Sequence, residues 1–205
     1  MEENRFSEKE SLELISRMLK QTKRNMELGS GNIFLYYGYS AVAISLVVFA
    51  LLQWTHDSVW AALWLLMFLP ALLIRLKASK QKPKVVTYMD KAIDNTWSVI
   101  GSLFALTFIA IEIIGWSVGR YYFVLMLPLS LLYAGIGISI TGVITQVRTL
   151  MYTPLFAFAV AIYMLVCLRA GEEATMLWHL LFGFSFLVMM VVPGHVLNKN
   201  SRHYA

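Results

Sequence analysis

The stretch WSVIGSLFALTFIAIEIIGWSVGRYYFVLMLPLSLLYAGIGISITGV, residues 97–143, decides the fold of this chain. It contains two long apolar runs, 97–118 and 121–143, which are separated only by Gly119 and Arg120. A helix needs about 20 mainly apolar residues to cross the roughly 30 Å hydrocarbon layer of a bilayer, so each run is long enough to span it. Because no water is present there to satisfy the backbone, both runs are predicted to be α-helices.

The rest of the chain repeats this pattern. Hydrophobic residues make up 59% of the 205 residues and charged residues 14%, against about 45–50% and about 25% in soluble domains. This composition excludes a soluble globular enzyme, a disordered chain and a disulfide-rich secreted domain. The sequence predicts an all-α, polytopic membrane protein whose six transmembrane helices form three hairpins: 33–53, 59–76, 97–118, 121–143, 150–168 and 175–197.

The distribution of basic residues predicts the orientation of these spans. Of the 17 Lys and Arg residues, only Arg120 and Arg169 lie in connections on one side of the predicted membrane. The others lie before span one, from the end of span two (Arg75) to span three, after span four, and in the tail 198–205. Since cytoplasmic segments carry the excess of Lys and Arg, both chain termini are predicted to be cytoplasmic.

The cytoplasmic segments are predicted to contact lipid. Residues 7–28 have apolar side chains at helical spacing and predict an amphipathic helix. The following Gly-Ser-Gly-Asn sequence, residues 29–32, is expected to end that helix, so that 1–32 precedes a separate bundle, 33–197. The helix either lies on the inner leaflet or packs on the bundle or on a second copy, with a cytoplasmic protein as another partner to consider.

Anionic lipids of the inner leaflet are the partners that the basic segments favour. The residues involved are 7–28 and 75–91, and the second segment overlaps a shorter amphipathic stretch within 80–95. Nucleic acid is not an expected partner, because acidic and basic residues alternate in 7–28.

Two ionisable residues are candidates for a polar site inside the membrane. Glu112 is the carboxylate inside span three, and His179 lies about one turn deep in span six. Both are predicted at a similar depth near the outer side, and ionisable groups at such depths are costly and often functional. A Glu112–His179 hydrogen bond would suit proton or cation handling. The alternative is structural: Glu112 reaches water at the interface or pairs with Arg120.

Span four carries small residues that predict close helix packing. Gly135, Ser139 and Gly142 share one stripe, and Gly137 lies on another. Small side chains allow helix backbones to approach, so span four is predicted to be central, with a substrate path as the alternative. Near the end of span six, Pro193 is expected to bend and terminate the helix before His195.

Catalytic, metal and cofactor motifs are not found in the sequence. There is no HExxH zinc motif, no complete serine elbow around Ser185, and no glycine-rich phosphate loop. The single cysteine, Cys167, cannot form an internal disulfide or a thiolate cage. We therefore expect no enzyme chemistry, no cofactor and no metal.

Three short motifs, taken together, carry a family resemblance. They are Gly29-Ser30-Gly31-Asn32 leading into Tyr36-Tyr37-Gly38-Tyr39, then Gly135-Ile136-Gly137 with Gly142, and Pro193-Gly194-His195. With these motifs the chain resembles a group of small six-span inner-membrane proteins of Bacteroidetes-type bacteria that has no assigned activity. The resemblance implies six spans and the bacterial inner membrane.

The sequence favours a non-enzymatic scaffold or regulatory membrane module. The alternative function is a small transporter or an ion- or proton-conducting protein that uses Glu112 and His179. A homo-oligomer is compatible with either function.

Overall fold

The computed structural model describes residues 8–68, 88–172 and 174–203, and these residues form helices and short connections without a strand. The elements, in chain order, are α1 (Glu8–Thr55), a 3₁₀ helix (Ser58–Phe68), α2 (Tyr88–Val118), a 3₁₀ turn (Phe123–Leu125), α3 (Met126–Thr145), α4 (Arg148–Tyr152), α5 (Pro154–Arg169), α6 (Leu177–Phe186), a π-helical turn (Leu187–Val191) and α7 (Val192–His203).

Within the described ranges, five helical segments are long and apolar enough to cross a membrane, as in a multi-pass membrane protein. They are Asn32–Thr55, Tyr88–Val118, Phe123–Thr145, Arg148–Arg169 and Leu177–Lys199. Exposed aromatic residues cluster where these segments end: Trp54, Trp116, Tyr121 and Tyr122. Such rings are typical of the boundary between lipid and water. We refer below to the two ends of the bundle as the Asn32 end and the Thr55 end.

The second predicted span, 59–76, differs from expectation in its described part. Ser58–Phe68 is a 3₁₀ helix rather than an α-helix, and the remainder of the span, including Pro70, lies outside the described residues. With a rise of about 2 Å per residue, the 3₁₀ segment covers about 22 Å, which is less than the hydrocarbon thickness. The described residues therefore contain five helices long and apolar enough to span a membrane and the first part of a sixth apolar segment.

The predicted break before span one is wrong, because α1 continues without interruption through residues 29–32 to Thr55. Each glycine in a helix interior costs only about 1 kcal/mol relative to alanine, which the hydrogen bonds of a long helix can offset. Residues 8–31 therefore belong to the same continuous helix as span one. The amphipathic character of 7–28 remains a prediction, since most of the side chains in this range are not among those that the structure describes.

The third span also begins earlier than predicted. Helix α2 starts at Tyr88, so residues 88–95 of the predicted amphipathic loop are the first turns of the same helix. At about 1.5 Å per residue, α2 is about 46 Å long and extends beyond the roughly 30 Å hydrocarbon layer. The earlier part of that loop, up to residue 87, lies outside the described residues.

The last span corrects a further expectation. The helix does not terminate at Pro193 and Gly194 but continues in α7 to His203. A π-helical turn, Leu187–Val191, comes immediately before it. Proline lacks an amide hydrogen and its ring collides with the carbonyl four residues earlier in a regular helix. The wider turn changes that local register, so the helix passes the proline without ending.

Helix packing is antiparallel and depends on small residues. Along α1, the Ser45 hydroxyl donates a 2.6 Å hydrogen bond to the His179 carbonyl, and Gly183 packs directly on Ser45. Helix α3 packs against both α2 and α5. The core between these helices contains fully buried side chains from four elements: Leu131, Ile138, Leu150, Met164 and Met189.

Candidate functional site

A cleft of about 2130 Å³ runs along most of the bundle. One wall is formed by α1, the 3₁₀ helix and α6, and the other by α2 and α3. Lining residues extend from Ile33 and Asp90 at the Asn32 end to His56 and Tyr122 at the Thr55 end. Helix α2 packs mainly against α3 rather than against α1. We call this space the lateral cleft.

Three of the hydroxyl groups in its walls are satisfied within their own helices. Thr141 donates to the Gly137 carbonyl at 2.8 Å, and Thr145 donates to the Thr141 carbonyl at 2.7 Å. Ser102 donates in the same way to the Ser98 carbonyl at 2.9 Å. Most of the other lining side chains are apolar, so the wall presents mainly apolar surface. The cleft therefore suits an apolar occupant better than a chain of water molecules.

His179, one of the two predicted site residues, lies in this cleft and is paired with Trp64. The indole Nε1–H donates a 3.0 Å hydrogen bond to His179 Nδ1. The two rings are also nearly parallel, at 17° with centroids 6.1 Å apart. Trp64 contacts Phe182 edge to face at 4.6 Å. These contacts hold the 3₁₀ helix on α6.

Glu112, the other predicted site residue, is not brought to His179. No hydrogen bond or ion pair joins the two within the described part of the chain, and Glu112 is not among the residues that line the cleft. It lies one turn beyond Phe108 on α2. Aromatic rings occupy the cleft end nearest to it: Phe108 packs on Phe123, which stacks on Tyr121. The similar depth that the sequence predicts for these two ionisable groups therefore does not bring them together.

The predicted small residues of span four are covered by neighbouring helices. Gly135 and Gly142 are buried, and a side chain at Gly135 would meet the Phe158 ring, with the nearest atom at 2.5 Å. A side chain at Gly142 would meet the backbone of Met151 at 2.6 Å. Gly137 faces Trp97 and Ile100, and Ser139 Oγ lies 3.5 Å from the Met151 carbonyl. These residues set how closely α3 approaches α2, α4 and α5.

A second set of small residues lies on α2 and is left open. Ser98, Gly101, Ser102 and Ala105 are exposed, and all four line the lateral cleft. A side chain added at Gly101 would meet nothing within 4 Å. The spacing is the small-xxx-small pattern that membrane helices use for close contact. On α2 this pattern has no covering helix among the described residues.

Charge and metal-binding groups are sparse around the cleft. Among its described lining residues the carboxylates are Asp90 and Asp94, both at the Asn32 end, and no Lys or Arg lines it. No group of three His, Cys, Asp or Glu residues that could hold a metal occurs in the part of the chain that the structure describes. Cys167 is buried and forms no disulfide.

Comparisons with protein-family models, with curated proteins and with solved structures give no match for this chain.

Sequence reasoning did not single out Trp64. A signal was available, since this tryptophan lies inside an apolar run rather than at its boundary, and a buried indole N–H needs an acceptor. The acceptor lies 115 residues later in the chain, and sequence spacing does not identify such a distant partner.

Proposed function

We propose that this chain is a non-enzymatic membrane module that receives a transmembrane helix of a partner protein in its lateral cleft. The observation that carries this proposal is the open stripe of small residues on α2, which faces a cleft of helical size. The proposed arrangement has six spans, with both termini on the cytoplasmic side of a bacterial inner membrane.

The size of the cleft supports a helix as the occupant. An α-helix with its side chains is about 10 Å across, so about 30 Å of it occupies roughly 2,400 Å³. The cleft volume of about 2130 Å³ is close to that figure, whereas pockets for drug-sized ligands hold about 300–1,000 Å³. A single small ligand would leave most of the cleft unfilled.

The chemistry of the walls supports an apolar helix. Most lining side chains are apolar, and the hydroxyl groups of Ser102, Thr141 and Thr145 bond to their own backbones. The open residues Ser98, Gly101 and Ala105 would let a second backbone approach α2 closely. In a bilayer, association of helices depends on such packing because lipid tails are as apolar as the helices themselves. A transporter that uses Glu112 and His179 together gains no support from the contacts, since these residues are not joined.

The test is site-specific photo-crosslinking in the membrane. A photoreactive amino acid is placed at Ala105, which lines the cleft, or at Ala159, an exposed small residue of α5 outside the cleft. We expect the Ala105 probe to form an adduct whose crosslinked peptide maps to a transmembrane segment of a different polypeptide, and the Ala159 probe to form none with that segment.

A filling substitution provides the matched control. Ala105→Leu should abolish the adduct formed by a probe at Ser98, and Ala159→Leu should leave it unchanged, with both variants equally stable in detergent. Adducts at Ala105 that map only to residues 69–87 of the same chain, or only to lipid, would overturn the proposal.

A further inference from the structure

A second recess lies on the opposite face of α1, at the Asn32 end. It holds about 360 Å³ and is lined by Asn32, Leu35, Tyr36, Tyr39 and Ser40. None of these residues lines the lateral cleft. All five residues lie on α1, so the recess is an open groove along one helix that would leave part of an occupant in contact with the bilayer. We call it the α1–α7 recess, because α7 supplies polar groups beside it.

Two side-chain hydrogen bonds join α1 to α7 here. The Tyr39 hydroxyl and His195 Nε2 are 2.7 Å apart, and their rings meet edge to face with centroids at 6.0 Å. Asn198 Nδ2 donates to Asn32 Oδ1 at 2.8 Å. Tyr39 and His195 are both exposed on the bundle surface. The exposed position leaves these polar groups accessible to a molecule in the bilayer.

The depth of the recess matches the interfacial layer of a membrane. Tyr39 lies seven residues, or about 10 Å, along α1 from Asn32. The interfacial region on each side of a bilayer is about 5–7 Å thick, so the recess reaches from the head groups to the first part of the hydrocarbon. Tyr36 adds an exposed ring at this level, as is common at membrane boundaries.

The remaining hydrogen-bonding capacity fits a phospholipid. A tyrosine hydroxyl accepts one hydrogen bond and donates another, so Tyr39 can accept from His195 Nε2–H and still donate to an ester carbonyl. Lys199 lies four residues after His195, on the same face of α7, and is exposed. Its ammonium group adds a positive charge at the head-group level.

We propose that the α1–α7 recess binds one phospholipid of net negative charge. Lys199 pairs with its phosphate, and Tyr39, oriented by His195, donates to an ester carbonyl. This site does not depend on a helix in the lateral cleft, because the two sites share no residue.

The binding test uses the full-length purified protein in a mild, uncharged detergent. Phosphatidylglycerol and phosphatidylcholine are titrated separately, and bound lipid is counted by native mass spectrometry. We expect phosphatidylglycerol to bind at least tenfold more tightly. Lys199→Gln should weaken its binding about tenfold and Tyr39→Phe about threefold to fivefold, as expected for the loss of a charge-assisted and of a neutral hydrogen bond.

Matched variants at the same end of the bundle separate a site from a general surface effect. Lys91→Gln removes another exposed lysine, and Tyr152→Phe removes the hydroxyl of another exposed tyrosine; both should bind phosphatidylglycerol as the wild type does. Glycerol phosphate without acyl chains should not compete at millimolar concentration. Equal weakening in all four variants, equal binding of the two lipids, or competition by soluble glycerol phosphate would each overturn the proposal.

Discussion

Replacing individual glycines by alanine should lower stability to different extents. The loss should be largest where the added methyl group would collide with backbone atoms of a neighbouring helix. Gly142→Ala in α3 and Gly101→Ala in α2 are the same chemical change in helices of the same bundle. At Gly142 the new carbon would lie 2.6 Å from the Met151 amide nitrogen and 2.7 Å from the Leu150 carbonyl carbon. At Gly101 it would meet nothing within 4 Å.

The magnitude follows from two opposing effects. Replacing glycine by alanine in a helix interior is favourable by roughly 0.5–1 kcal/mol through the backbone. Overpacking costs about 1–3 kcal/mol, and the upper end applies where the obstacle is backbone that cannot rotate away. Gly142→Ala should therefore lose about 2 kcal/mol net, whereas Gly101→Ala should be unchanged or slightly stabilised.

Thermal unfolding of the detergent-solubilised protein checks this prediction. At about 2–4 °C per kcal/mol for a chain of this size, Gly142→Ala should unfold about 4–8 °C below the wild type. Gly135→Ala should fall between the two, because its obstacle is the Phe158 ring, which can rotate. Equal midpoints for Gly142→Ala and Gly101→Ala would refute the packing of α3 on α4 described above.

Three further predictions concern single contacts and topology. Trp64→Phe should destabilise the protein by about 0.5–1.5 kcal/mol, because it removes the hydrogen bond to His179. In the same thermal-unfolding assay, the control Trp54→Phe should change the midpoint little, since Trp54 is 85% exposed. Equal shifts in the two variants would contradict the Trp64–His179 contact. Glu112→Gln should alter stability by less than about 0.5 kcal/mol. The half-buried Glu112 has no hydrogen bond or ion pair among the described residues, and substitutions that break no such contact usually have small effects. A loss above about 2 kcal/mol in the same assay would contradict this. Fusions of alkaline phosphatase at residue 90 should be inactive, and fusions at residue 120 should be active. The distribution of Lys and Arg predicts that residues 90 and 120 lie on opposite sides of the membrane. Active fusions at residue 90 with inactive fusions at residue 120 would contradict the predicted orientation.

The spans themselves were predictable because lipid imposes one dominant constraint. Residues 121–143 and 175–197 were predicted from apolar length alone, and the helices at these positions differ by only a few residues at their ends. Hydrophobic length reports where a helix crosses the hydrocarbon, but it carries no information on where the same helix stops in water. For this reason α1 and α2 extend further toward the Asn32 end than apolar length predicted.

The sequence predicted that Pro193 disturbs the last helix, but it did not predict how the helix accommodates the proline. Pro193 does disturb the last span, yet the chain responds with a π-helical turn instead of a helix end. The backbone groups of a membrane-embedded segment must still be bonded, and widening one turn keeps them bonded while ending the helix would not. Sequence identifies the position of such a disturbance, whereas the surrounding packing decides how it is accommodated.

The small residues show most clearly what sequence leaves open. The stripe on α3 and the stripe on α2 have the same spacing pattern, and either could have been central to the bundle. In the structure the α3 stripe is covered by the chain's own helices, with Gly142 against the backbone at Leu150 and Met151. The α2 stripe faces the lateral cleft, and Gly101 has open space around it. Small residues favour helix association only when another backbone comes close enough to gain van der Waals contact. In the proposed function, the stripe on α2 is one half of a helix–helix contact and the partner helix supplies the other half. Binding of that helix should then stabilise the protein mainly through α2.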